Sequence, residues 1–85
     1  MFAVYTCPLQ IVDTQLVSLP IGSRVLGHAV QEGVPTVWVL GNPNAEHVNV
    51  EVMLVATGTE FDVQDWRYID TFTLNEVTSH IFMRE

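Results

Sequence analysis

Lysine is missing altogether, and arginine occurs only three times, as Arg24, Arg67 and Arg84. Without lysine there is no amine to form a Schiff base and no P-loop cation to meet a transferred phosphate. Ten acids against those three bases give a formal net charge of -7. A chain so poor in cations cannot neutralise a row of phosphates, which disfavours direct nucleic-acid binding, and its acids repel an anionic membrane surface. Cysteine is almost as scarce. Cys7 stands alone, so no intrachain disulfide can form, and a reducing compartment fits. Long apolar runs are absent as well: Val34–Leu40 is broken by Pro35 and Thr36, far short of the roughly eighteen residues of a membrane span. The first eight residues lack the basic flank and apolar run of a secretion signal.

What is present is a chain of 85 residues and 9.5 kDa with 48% hydrophobic residues, enough for one compact β-rich domain over residues 1–85 with a modest core. Its dominant signal is short β-branched segments separated by Pro, Gly or Asn. Strands are predicted at Phe2–Thr6, Gln15–Leu19, Arg24–Val30, Pro35–Leu40, Val48–Thr57, Arg67–Leu74 and Ser79–Met83. Glu32-Gly33 serves as a two-residue hairpin turn with Gly33 at positive φ. By subtraction, His28 then faces Val37, Gly27 faces Trp38, Leu26 faces Val39 and Val25 faces Leu40, with Trp38 lying across Gly27. Pro35 donates nothing to a ladder and is expected at an edge or a bulge.

In the fifth segment Val48, Val50, Val52, Leu54 and Ala56 form one apolar face, while Met53 and Val55 make the far end of the other face apolar. That end is either covered on both sides or meets a partner. Within residues 61–66 two readings stand: a short helical turn capped by Thr59 with Asp62 three residues on, or an irregular loop. In the sixth segment strict alternation puts Tyr68, Asp70 and Phe72 on one face. The pattern as a whole predicts an all-β fold, a compact small barrel or a two-layer sandwich of six to seven short strands, with room for one short helical turn. An α+β fold with a single short helix is the alternative.

Candidate chemistry is thin. His28, His47 and His80 invite a metal site with Cys7 or Asp70, but no Cys-x-x-Cys or His-x-x-x-His spacing supports it, and structural or surface roles suffice. Cys7 beside Pro8 reads as a small core or border residue rather than a nucleophile. Ser18, Ser23 and Ser79 sit in no nucleophile-elbow sequence. Glu60, Asp62, Asp65 and Asp70 cluster near Trp66 and Tyr68, as a glycosidase or a metal-dependent phosphoryl-transfer site requires. So small a fold offers little depth for either reaction, and acids on a solvated loop need no catalytic reason. No enzyme activity, catalytic residue, cofactor or metal is expected.

An acidic recognition surface is the more economical reading. Eight of the ten acids follow Leu40, and such a surplus steers a basic partner. Trp66, Tyr68 or Phe61 adds the apolar anchor that charge alone lacks. The expected protein-binding residues are Glu60, Asp62, Asp65, Trp66, Tyr68 and Asp70.

Several stretches also carry a likeness. They are Asp13–Pro20 followed by Gly22 and Val25-Leu26, then Val30–Pro35 leading to Trp38, and Asn42-Pro43. Thr57-Gly58, Tyr68–Phe72 and His80-Ile81-Phe82 complete the set. From about Gln10 to the C-terminus the chain resembles a family of small bacteriophage and prophage proteins without an assigned function. Thr59 stands where such proteins often carry His. The resemblance implies phage origin and no reaction chemistry. Joined to the charge argument, it gives an expectation: a phage accessory protein in the host cytoplasm that binds, and in an anti-defence or anti-CRISPR version inhibits, a host protein with a basic surface. The alternative is a structural or assembly module, a homodimer or part of a phage complex, using Met53, Val55 and the C-terminal strand as its interface.

Overall fold

A computed structural model describes residues 1–85 and contains seven strands and no helix. The strands are β1 (Ala3–Pro8), β2 (Thr14–Pro20), β3 (Arg24–Gln31), β4 (Val34–Gly41), β5 (His47–Ala56), β6 (Arg67–Leu74) and β7 (Val77–Arg84). They form two antiparallel sheets, one in the order β1-β4-β3 and one in the order β2-β5-β7-β6. The architecture is therefore a two-layer sandwich. Neither sheet closes on itself, which removes the barrel, and the helical turn proposed after Thr59 is replaced by an irregular loop.

Alternation along each strand sends one set of side chains between the sheets. Cys7, Val37 and Val39 come from the three-stranded sheet, and Val50, Val52, Phe72, Ile81 and Met83 from the other. The filling is thin: only 15 of 85 residues are buried. The accessible surface of 5489 Å² exceeds the roughly 5,000 Å² expected for this mass, because the molecule measures 39 × 31 × 16 Å and is flat.

The β3–β4 hairpin turns through Glu32-Gly33 with φ of 52° and 78°. Two consecutive positive values are the mark of a type I′ turn, whose twist matches the flanking strands. His28 faces Val37 and Gly27 faces Trp38, as the sequence predicts, but Val25 then pairs with Val39 and Arg24 with Leu40. Leu26 is the extra residue of a bulge and is 54% exposed. Without that bulge, alternation from His28 would carry the Arg24 guanidinium between the sheets. Trp38 lies opposite Gly27 without filling its space, since a Cβ there would meet nothing within 4 Å.

Pro35 sits in the central strand rather than at an edge. It is tolerated because its carbonyl and missing donor face the last rung beside β1, where the Leu9 N–H donates to the Pro35 carbonyl. Gly41 ends the same strand under steric constraint. A Cβ there would lie 2.8 Å from Ser23 Oγ and 3.1 Å from Pro20 Cγ, and the Ser23 hydroxyl already donates to the Pro20 carbonyl. Gly41→Ala is expected to lower stability by about 1–3 kcal/mol through overpacking, read as a lower midpoint in urea.

Met53 and Val55 face away from the sandwich interior, opposite Phe82 and His80. Val55 is nevertheless only 6% exposed. This end of β5 is covered on both sides. β7 is paired on both sides as well, so it offers no free edge for pairing with another chain.

Candidate functional site

The covering of β5 leads to the segment that joins β5 to β6. After the Thr57-Gly58 turn, closed by the Thr59 N–H on the Ala56 carbonyl, residues 59–66 return along the outer face of the four-stranded sheet. Two contacts hold them there. The Phe61 ring packs on Phe82 with centroids 4.9 Å apart, and Tyr68 meets the same ring edge-on at 5.8 Å. Farther along, Arg84 gathers three groups. Its Nε donates to Glu51 Oε1 at 3.1 Å, its Nη1 donates to Asp65 Oδ1 at 3.0 Å, and its guanidinium carbon lies 4.1 Å above the Trp66 ring. The hydrogen bond to Glu51, helped by Asp65 and opposed by desolvation, holds the guanidinium pKa above its ordinary value.

Five of the six sequence-predicted residues lie on this loop or next to it. Glu60 and Asp62 are exposed, and Asp62 accepts from the Gln64 backbone and side-chain amides. Asp65 is exposed but bound to Arg84, and Trp66 is half-buried beneath that arginine. Tyr68 is 58% exposed on the outer face.

Asp70 does not join them. A second bulge, between Tyr68 and Asp70, places Tyr68 opposite Phe82 on the outer face and Asp70 opposite Ile81 on the inner one. The shared face of Tyr68, Asp70 and Phe72 is thereby corrected: one extra residue, Ile69, inverts everything that precedes it.

On the inner face Asp70 meets a residue from the other sheet. His28 Nδ1 donates to Asp70 Oδ2 at 2.6 Å, joining edge strand β3 to edge strand β6 along one side of the sandwich. Burial pushes the Asp70 carboxyl up, but the bond from His28, the Thr71 N–H on Oδ1 and the nearby imidazole charge outweigh it and leave the pKa below its usual value. A depressed folded-state pKa contributes stability that is present above the unfolded value and lost as pH falls through the folded one. Asp70→Asn is therefore expected to be less stable than the parent at pH 7, with the gap closing below about pH 4, the reference carboxyl pKa. Paired urea titrations across that range test it; a constant gap would show that the charge contributes nothing.

His80 lies on the outer face, and both ring nitrogens meet hydroxyls: Nδ1 with Thr71 Oγ1 at 2.9 Å and Nε2 with Thr57 Oγ1 at 2.8 Å. Tyr68 Oη approaches Thr71 Oγ1 at 2.6 Å, and Thr57 Oγ1 donates to the Thr78 carbonyl. One assignment uses every donor once. Tyr68 donates to Thr71, Thr71 to Nδ1, and Nε2–H to Thr57 in that assignment. His47 touches only Ser18, at 3.4 Å. The three histidines thus occupy separate places, and no three His, Cys, Asp or Glu side chains converge on a position that can hold a metal.

Over residues 1–85 the chain matches a family described as a domain of unknown function, DUF7352. It belongs to that family. The comparisons found no match among curated proteins and none among solved structures. Membership in DUF7352 confirms a small domain of unassigned function and carries no indication of phage or prophage origin.

In this DUF7352 domain the side chains most familiar from catalysis are tied into structure. Cys7 is in the core, where burial pushes its thiol pKa up and disfavours the thiolate. Ser23 is bonded to a carbonyl of its own turn. The groups that sequence reasoning missed are Arg84, Glu51 and the His28–Asp70 pair. Arg84 left no local signal: it is one of two bases after Leu40, and the one beside the aromatic-acidic segment in sequence is Arg67. The His28–Asp70 pair, 42 residues apart, left none.

Proposed function

We propose that this DUF7352 domain is a protein-binding module whose contact surface is the β5–β6 loop with Tyr68. The observation that carries the reading is the exposure of Phe61, Val63 and Tyr68, at 40%, 57% and 58%, beside the exposed carboxylates of Glu60 and Asp62. Aromatic groups that a small domain leaves in water, on a segment braced by Arg84, suit the apolar centre of an interface. The neighbouring acids suit steering toward a basic surface. Asp65 and Trp66 brace the loop, and Asp70 joins the two sheets. The partner in this reading is a host protein with a basic surface in the host cytoplasm. Phage origin, inhibition by occlusion and an anti-CRISPR version belong to the same proposal and rest on the family likeness of the sequence. No catalytic step, cofactor, metal, membrane or direct nucleic-acid contact enters it.

The test is capture from a bacterial lysate at two ionic strengths by the parent chain and by the triple variant Glu60→Gln, Phe61→Ala, Asp62→Asn. A partner retained by the parent at low salt is expected to fall at least tenfold with the variant, while the variant's amide spectrum keeps its dispersion. Equal retention, or no specific partner at either salt, overturns the reading.

A second reading is homodimerisation. It is supported by the outer face of the three-stranded sheet, where Val4 and Leu26 are 60% and 54% exposed near half-buried Trp38. Light scattering on the parent and on Leu26→Glu separates the two readings, since only a dimer using this face would dissociate on substitution.

A further inference from the structure

Arg84 is engaged by two acids, whereas Arg24 and Arg67 make no ion pair and no side-chain hydrogen bond within the chain. They stand at the starts of β3 and β6, in different sheets. Both nevertheless line the same cavity of about 320 Å³ at one end of the sandwich. Its apolar lining is drawn from both layers, Val25 and Val39 on one side and Leu19, Val50, Ile69 and Met83 on the other, and Ser23, Tyr68 and Glu85 add polar groups beside the two arginines. The only acidic side chain on the lining is Glu85, so two arginine side chains stand there against one acidic side chain in a chain of net charge -7.

The two bulges bear directly on this arrangement. The bulge at Leu26 keeps Arg24 out of the interior and turns Val25 inward. The bulge at Ile69 gives β6 its extra residue two positions after Arg67, and Ile69 lines the cavity. An arginine fork pairs with a planar carboxylate through two parallel N–H···O bonds. A cavity at the small end of the ligand-pocket range admits a short apolar body. From these features we propose that this end of the sandwich binds a small amphipathic carboxylate, its aliphatic or aromatic body between the sheets and its carboxylate between Arg24 and Arg67. The inference does not depend on the protein-binding reading: of the contact residues of that reading only Tyr68 also lines the cavity, and neither arginine belongs to it.

Octanoate is a suitable probe and 1-octanol its uncharged control, each titrated into the 15N-labelled full chain. Octanoate is expected to shift the amides of Val25, Val39, Val50, Ile69 and Met83 in a saturable manner. Octanol should bind at least tenfold more weakly. Arg24→Gln/Arg67→Gln should lose octanoate affinity by at least tenfold while leaving the octanol response unchanged; both arginines are exposed and unpaired, so the fold should survive. Three results overturn the proposal: no saturable shift at these amides, equal affinity for octanoate and octanol, or unchanged octanoate affinity in the double variant. The capture experiment on the loop gives its own answer whichever of these results is obtained.

Discussion

Ile81→Ala is expected to remove about 2–5 kcal/mol of stability, a large fraction of the total for a domain of this size. Ile81 is fully buried in β7, opposite Leu54 on one side and Asp70 on the other. Its side chain fills the middle of a core that contains only ten clustered buried residues, so few neighbours exist to collapse into the space left behind. Ile81→Val provides a graded control with an expected loss of about 0.5–1.5 kcal/mol. Urea unfolding followed by tryptophan fluorescence measures both. A loss below about 1 kcal/mol for the alanine variant would mean that the two sheets close over the gap, and that the packing described for the interior is not what holds them together.

The second large effect concerns the loop rather than the core. Arg84→Gln removes the ion pairs to Glu51 and Asp65 and the cation over Trp66 in one step. These groups are partly exposed, so water and salt discount their contribution to global stability. The effect should be local. The Trp66 amide, which donates to the Val63 carbonyl, is expected to exchange at least tenfold faster in the variant. Amides in β5 and β7 should keep their protection. Raising the salt concentration in the parent should move Trp66 in the same direction. Unchanged exchange at Trp66 would place the restraint in the Phe61–Phe82 stack instead.

The strands were readable because alternation and turn chemistry agree along most of the chain. Glu32-Gly33 marks its hairpin, and its register holds from Val37 to Trp38. It fails at Leu26, and the face assignment of β6 fails at Ile69, for one reason. A bulge adds a residue without any compositional mark, and period two then inverts every position beyond it. The inward turn of Asp70 was therefore hidden, and with it the bond to His28, which depends on two edge strands meeting across the sandwich. The covered end of β5 was visible as the apolar pair Met53 and Val55, while the identity of the cover was not. Phe61 reaches Phe82 only through a loop whose path no local pattern dictates. The acids at Glu60 and Asp62 were legible as exposed; the capture of Asp65 by Arg84 was not.

The placement of β7 between β5 and β6 has a consequence for how the chain folds. Before β7 is in place the β3–β4 hairpin and the β2–β5 pair can form, but β6 lacks its one hydrogen-bonded strand partner. The backbone edge of β5 that β7 later covers, from Glu51 to Ala56, is left open. Until β7 docks, that edge is a template for pairing with other chains. The net charge of -7 acts against such pairing, since like-charged copies repel one another while the edge is open.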